Sequence, residues 1–175
     1  MKTPPFHITR AQVAARASRV RLVLVDNDGT LTDGQCYYTA RGEEMKVYSL
    51  RDGIGVQLLR EAGVETAIVS REASEIAARR AETLKLPYTF LGVENKLEHL
   101  AQIEATTGFK RDVMAYMGDD VGDLEIMRAL SAVSLVGTPA DGHGLLRDHA
   151  HFISDKPGGH GAFRAFAEWL LAWRA

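Results

Sequence analysis

The chain has 175 residues, enough for one domain with its own core; 46% are hydrophobic and 25% charged. A formal net charge of -2 excludes the strongly basic surface needed to wrap nucleic acid or to bind an anionic membrane. The one cysteine, Cys36, excludes an intrachain disulfide and points to a reducing compartment, with the cytoplasm as the expected location. No apolar run reaches bilayer length, and residues 1–20 lack the unbroken apolar stretch of a secretory leader.

In chain order, Val20–Val25 is an apolar, β-branched run that reads as a fully buried strand and runs into "DNDGTLTDG". Gly34–Gly53 holds two strand-like runs, Gln35–Thr39 and Met45–Ser49, separated by "ARGEE", which predicts a projecting β-hairpin. A lone hairpin is marginal in water, so a second subunit is the expected partner. Helices are expected at Gly53–Ala62, Glu72–Leu84, Asn95–Thr107 and Val121–Leu130, with strands at Val64–Val69, Tyr88–Leu91, Val113–Met117 and Ala132–Val136. Gly108 punctuates one helix end. His149 and His151 alternate on an expected strand and read as exposed, with zinc weighed there and set aside for want of a further convergent ligand. In the last segment Phe163, Phe166, Ala167, Leu170 and Leu171 recur at helical spacing and should dock on the core. The alternation predicts a single α/β domain over 1–175: a doubly wound parallel sheet, Rossmann-like, with the hairpin at 34–53 as an oligomerisation element.

Ligands of open α/β sheets bind at the carboxyl ends of the strands. Asp26 and Asp28 follow the first strand and Ser70 the second. Lys96 opens the helix after the third run, and Asp119, Asp120 and Asp123 follow the fourth. Carboxylates this close repel unless a cation lies between them. Oxygen ligands with open positions suit Mg²⁺, and Lys96 supplies further counter-charge.

These four motifs, in this order, resemble the haloacid dehalogenase-like phosphohydrolases: Asp26-Asn27-Asp28-Gly29-Thr30-Leu31-Thr32-Asp33, then Ser70, then Lys96, then Gly118-Asp119-Asp120-Val121-Gly122-Asp123. The resemblance implies Asp26 as nucleophile, Asp28 as general acid and base, and Ser70 and Lys96 as holders of the phosphoryl oxygens. It implies Mg²⁺ on Asp26, Asp119 and the Asp28 backbone carbonyl, with Asp120 and Asp123 in support. Between Asp26 and Ser70 there is room only for the hairpin and one helix, and between Ser70 and Lys96 only for one helix and one strand, so no cap domain is inserted.

"DGTLTDG", "GEEMKVYSLRDGIG" and "GGHGAFRAF" are similar to the capless sugar-phosphate phosphatases of the 3-deoxy-D-manno-octulosonate 8-phosphate phosphatase type, a group that includes nonulosonate 9-phosphate phosphatases. That similarity implies a phosphorylated sugar acid as substrate and a homotetramer in which neighbours cover each other's sites. It places Ser49, Leu50, Arg51, Asp52, Gly53, Arg80 and Arg164 on the sugar acid or phosphate. The chain departs from the octulosonate pattern at Gln57, where arginine is usual, and at Ser70-Arg71-Glu72, where the pattern is Ser/Thr-Gly-Arg. Asn27 stands where relatives carry an apolar residue. A non-catalytic member serving assembly or regulation is the rival reading; intact Asp26 and Asp28 weigh against it.

Overall fold

The structure is a computed structural model that describes residues 8–174. The leader reading over residues 1–20 therefore falls partly outside the described residues. Six parallel strands form the central sheet: β1 (Leu22–Val25), β4 (Glu65–Val69), β5 (Tyr88–Phe90), β6 (Met114–Met117), β7 (Val136–Thr138) and β8 (Phe152–Ile153). Their spatial order is β5-β4-β1-β6-β7-β8. A separate antiparallel hairpin pairs β2 (Tyr37–Thr39) with β3 (Gly42–Met45).

All four residues of β1 are buried, because helices cover both faces of the sheet. Val23 and Val25 face one layer, formed by α1 (Arg10–Ala17), α2 (Leu50–Glu61), α3 (Glu75–Thr83) and α7 (Ala162–Ala172). Leu22 and Leu24 face the other, formed by α4 (Lys96–Thr107) and α5 (Leu124–Ser131). A short helix, α6 (Gly144–Arg147), precedes β8. Helices α2 and α3 start at Leu50 and Glu75 rather than at Gly53 and Glu72, and Ser49, Ser74 and Asn95 each accept from the first turn of α2, α3 and α4. Gly108 ends α4 in the left-handed region, φ 75°. Phe163, Phe166, Ala167 and Leu170 of α7 are fully buried. Gly55 lets α2 approach α7: a Cβ there would stand 2.8 Å from Arg164 Cα.

Several expectations need correcting. The run 132–135 continues the turn that closes α5, with Ser134 N donating to Leu130 O at 2.7 Å, and the strand begins only at Val136. The hairpin turn is Ala40-Arg41, and Gly42-Glu43-Glu44 belong to β3 rather than to the turn. Helix α1 carries a Thr9–Gln12 capping box that sequence reading passed over. His151 is buried, not exposed: its Nδ1 accepts from Val136 N at 3.1 Å, and burial with Arg16 nearby lowers its pKa to about 4. His149 lies against Arg128 Nε at 3.2 Å.

The hairpin is also tied into its own chain, contrary to the expectation that it lacks an intrachain partner. Glu43 Oε2 accepts from Ser74 Oγ at 2.5 Å, Lys46 reaches Asp28, and Tyr48 OH donates to Asn27 Oδ1 at 3.0 Å. Its outer face still leaves Tyr37, Tyr38 and Met45 exposed.

Candidate active site

The sheet order reverses at β1, whose neighbours are β4 and β6. That switch point is where an open α/β sheet leaves a crevice. Val25 pairs with Ile68 on one side and Met117 on the other, so Asp26, Ser70 and Asp119 emerge at the same sheet edge. After Asp26 the chain makes an irregular turn, Asn27–Leu31, closed by Thr32 N donating to Asn27 O at 2.9 Å, with Gly29 at φ +92°.

Asp26 is buried, and its Oδ1 accepts from Lys96 Nζ. The same ammonium donates to Asp123 Oδ1 at 2.6 Å and approaches Tyr116 OH at 3.2 Å. Asp123 uses both oxygens: Oδ1 also accepts from Tyr116 OH at 2.5 Å, and Oδ2 from the amides of Asp119 and Asp120 at 2.9 and 3.2 Å. Asp119 Oδ1 accepts from Thr30 Oγ1 at 2.9 Å. Burial, then repulsion from Asp123, holds the Asp26 carboxyl well above the usual range despite Lys96. Burial and Asp123 push Asp119 up to about 6. Lys96 is raised, its carboxylate partners outweighing its burial.

Asp26, Asp119 and Asp123 offer oxygens that all lie within 4.8 Å of one another. A divalent cation fits this set: the donors are all hard oxygens, and one lysine leaves the buried negative charge in excess. Gly29 is part of the cradle, because a Cβ there would collide with the Asp119 carboxylate. Asp123 has no oxygen without protein partners, so Asp26 and Asp119 are the side chains open to the ion.

The predicted residues fall into groups. Asp26, Lys96, Asp119 and Asp123 meet. Asp28 stands apart, its Oδ1 held by Lys46 at 2.6 Å and Asn27 Nδ2 at 3.0 Å. Ser70 is buried at the end of β4 and accepts from Glu72 N at 3.2 Å. Asp120 caps the turn after β6, accepting from Val121 N at 2.7 Å. Asp52 points inward, accepting from Gly161 N at 3.1 Å and Arg164 N at 2.9 Å at the start of α7. Arg80 donates to Ser49 O at 3.2 Å and stacks over the Tyr48 ring, and Gly53 packs against Arg80. Leu50 and Arg51 are exposed, and Arg164 Nε donates to Glu168 at 2.8 Å. Gln57 lies on the exposed face of α2, donating to Glu61 at 2.8 Å. Sequence reading missed Lys46 and Tyr116. Lys46 lies in the stretch GEEMKVYSLRDGIG, but the resemblance implies no role for it, and Tyr116 reads as one more apolar position of a strand.

A buried lysine bridging two carboxylates at the switch point of an uncapped parallel sheet places the chain among the haloacid dehalogenase-like phosphatases. Over 159 residues it is 33% identical to the 3-deoxy-D-manno-octulosonate 8-phosphate phosphatase KdsC of Yersinia pestis, a match covering 91% of this chain and 83% of that protein. The chain belongs to the 3-deoxy-D-manno-octulosonate 8-phosphate phosphatase family. The enzyme of that name from Escherichia coli K12 is 33% identical over 161 residues, covering 92% of this chain and 84% of that protein. Among solved structures, the Moraxella catarrhalis phosphatase in complex with magnesium ion, phosphate ion and KDO superposes with a TM-score of 0.85 at 31% identity, covering 93% of this chain and 92% of that one. A probable YrbI family phosphatase from Pseudomonas syringae pv. phaseolica gives a TM-score of 0.86 at 36% identity, covering 94% and 92%. No protein-family model matches the chain. Among the described residues no helix is long and apolar enough to cross a membrane.

Proposed function

We propose that the chain is a Mg²⁺-dependent phosphomonoesterase that hydrolyses 3-deoxy-D-manno-octulosonate 8-phosphate through an aspartyl-phosphate on Asp26. The observation that carries this reading is the buried Asp26–Lys96 pair with Asp119 beside it at an uncapped sheet edge. The substrate is the one named for the Yersinia pestis relative, and the Moraxella catarrhalis structure holds magnesium, phosphate and KDO.

An Asp26 oxygen attacks phosphorus; the bond from phosphorus to the sugar oxygen breaks, and that oxygen keeps the electron pair and takes a proton from Asp28. Asp28 then accepts a proton from water as the water oxygen attacks phosphorus, the Asp26–phosphorus bond breaks, and inorganic phosphate leaves. Ser70 and Lys96 hold the phosphoryl oxygens, and Lys96 also offsets the charge of Asp26. Asp26, Asp119 and the Asp28 carbonyl would hold Mg²⁺, which would supply Lewis-acid stabilisation of phosphoryl negative charge. Asp123 and Asp120 orient this set. Ser49, Leu50, Arg51, Gly53, Arg80 and Arg164 form the wall for the sugar acid, with Asp52 behind it holding the start of α7, and a neighbour completes the wall in a cytoplasmic homotetramer built on hairpin 34–53.

A nine-carbon sugar acid phosphate is the second reading. It is favoured by Glu72, an acidic residue where the octulosonate pattern carries arginine, two positions past Ser70, whose Oγ accepts from the Glu72 amide at 3.2 Å. Phosphate release from eight- and nine-carbon sugar acid phosphates, with and without Mg²⁺, tests both. The eight-carbon ester should give the highest kcat/KM, and a higher value for the nine-carbon ester would replace it. Release from neither would overturn the activity.

A further inference from the structure

Lys46 follows directly after β3 and lies outside the four catalytic motifs, yet its side chain is only 3% exposed. A lysine is rarely buried unless fully paired. Here the ammonium donates to Asp28 Oδ1 at 2.6 Å and to Glu43 Oε1 at 2.8 Å. Glu43 Oε2 accepts in turn from Ser74 Oγ at 2.5 Å, and Ser74 is the buried cap of α3. The chain Asp28–Lys46–Glu43–Ser74 thus ties one carboxylate oxygen to the rigid start of a helix. Asn27 Nδ2 donates to that same Oδ1 at 3.0 Å. The other oxygen, Asp28 Oδ2, is buried and has no hydrogen-bond partner among the described residues. Such an atom is costly unless something else uses it.

We propose that Lys46 is the positioning residue for Asp28, fixing Oδ1 so that Oδ2 alone exchanges the proton with the leaving oxygen and then with water. This rests on the phosphatase reading given above. In the first step the phosphorus–oxygen bond breaks, its electron pair stays on the sugar oxygen, and the proton comes from Oδ2. In the second, water returns a proton to Oδ2. Oδ1 already faces two donors, so a proton there would meet the ammonium. Lys46 therefore governs which oxygen carries the proton, while the nucleophile is held separately by Lys96.

The test uses two substrates that differ in their need for an acid. An unactivated alkyl phosphate, 3-deoxy-D-manno-octulosonate 8-phosphate, needs its leaving oxygen protonated; p-nitrophenyl phosphate does not. The ratio of kcat/KM for the two reports steps through phosphoryl transfer to Asp26, before water is activated. Lys46→Met should lower kcat/KM for the alkyl ester by about 10²-fold and for the aryl ester less than about threefold. In an Asp28→Asn background the same change should cost the alkyl ester nothing further. Glu43→Gln/Lys46→Met, which keeps the net charge of the hairpin base, should show the same ratio if Lys46→Met alone proves insoluble. Equal losses on both esters, or a full further loss in the Asp28→Asn background, would overturn the assignment. Wild-type protein inert toward both esters would overturn the phosphatase reading and this assignment with it. Wild-type activity with an unchanged ratio in the variants would overturn this assignment alone.

Discussion

Gly29 and Asp119 share one space: a Cβ on Gly29 would collide with the Asp119 carboxylate, and Gly29 sits at φ +92° besides. The turn after β1 therefore needs glycine twice, for its backbone and for the approach of a carboxylate from the end of β6. Gly29→Ala should displace Asp119, weaken Mg²⁺ by about 10–100-fold, and add roughly 1 kcal/mol of backbone strain. Mg²⁺ titration of phosphate release checks this; unchanged Mg²⁺ affinity would remove Gly29 from the cradle.

Asp26→Asn should abolish turnover, because an amide cannot form the acyl phosphate. It also removes one charge from a buried cluster in which burial and Asp123 already oppose ionisation. The metal-free variant should therefore be more stable, by about 1 kcal/mol. Steady-state assays with thermal melts check both, and near-normal turnover would rule out the covalent route.

Asp119 sets a pH dependence. Its folded-state pKa is about 6, above the ordinary 3.8, so the folded state binds this proton more tightly than the unfolded state does. Its contribution is therefore greatest below pH 3.8 and is lost as pH rises to about 6. Mg²⁺ needs the ionised form and acts in the opposite sense. At saturating Mg²⁺ near pH 7.5, Tm should rise by roughly 5–10 °C. That gain should shrink as pH falls below about 6. A Mg²⁺ effect on Tm that is flat from pH 5 to 7.5 would contradict the assignment.

The site was legible where each polar residue terminates an apolar run: Asp26, Ser70 and Asp119 each stand just past a buried strand, and strand ends are where such folds place chemistry. What depended on long-range contact was not. Lys46 sits in a strand-like run whose charge looks like solvated hairpin, and only the folded chain brings it to Asp28. Tyr116 reads as core, and its hydroxyl finds Asp123 and Lys96 only across the layer facing α4 and α5. Apolarity misled at 132–135, because the turn that closes α5, with Ala132 exposed, Val133 half-buried and Leu135 buried, is as apolar as a strand. At His151 polarity misled in the opposite sense: the imidazole is paired inside, so composition alone places it outside.

Asp52 separates two roles for one residue. The family resemblance sets it on the substrate, and the structure gives both its oxygens to amides that open α7. A helix start left without such a partner costs about 1–2 kcal/mol. Asp52→Ala should lower stability by about that much and leave KM within about twofold. Urea unfolding with KM measurements decides, and a large rise in KM at unchanged stability would return Asp52 to the substrate wall.

The hairpin carries the last prediction. Its outer face and the start of α2 expose large apolar side chains together: Tyr37 at 56%, Tyr38 at 68%, Met45 at 53% and Leu50 at 80%. Four exposed large apolar side chains within one hairpin and the adjoining helix start fit an interface. At its base the hairpin is fixed by Lys46 to Asp28 and by Glu43 to Ser74, so it is held firmly enough to present that face. The uncapped sheet edge and the exposed apolar hairpin are both resolved if hairpins of four subunits meet and a neighbour walls each site. Tyr38→Glu should place a charge in that contact and shift the protein from tetramer to monomer in sedimentation. Because Asp26, Lys96 and Asp119 belong to one chain, the monomer should keep activity on p-nitrophenyl phosphate within about threefold. It should lose about 10-fold or more in kcat/KM on the sugar acid phosphate, whose carboxylate and hydroxyls need the neighbour's wall. Wild-type protein that sediments as a monomer with full activity on the sugar acid phosphate would refute the shared site. Monomeric Tyr38→Glu with unchanged specificity would leave the tetramer standing and remove its role in recognition.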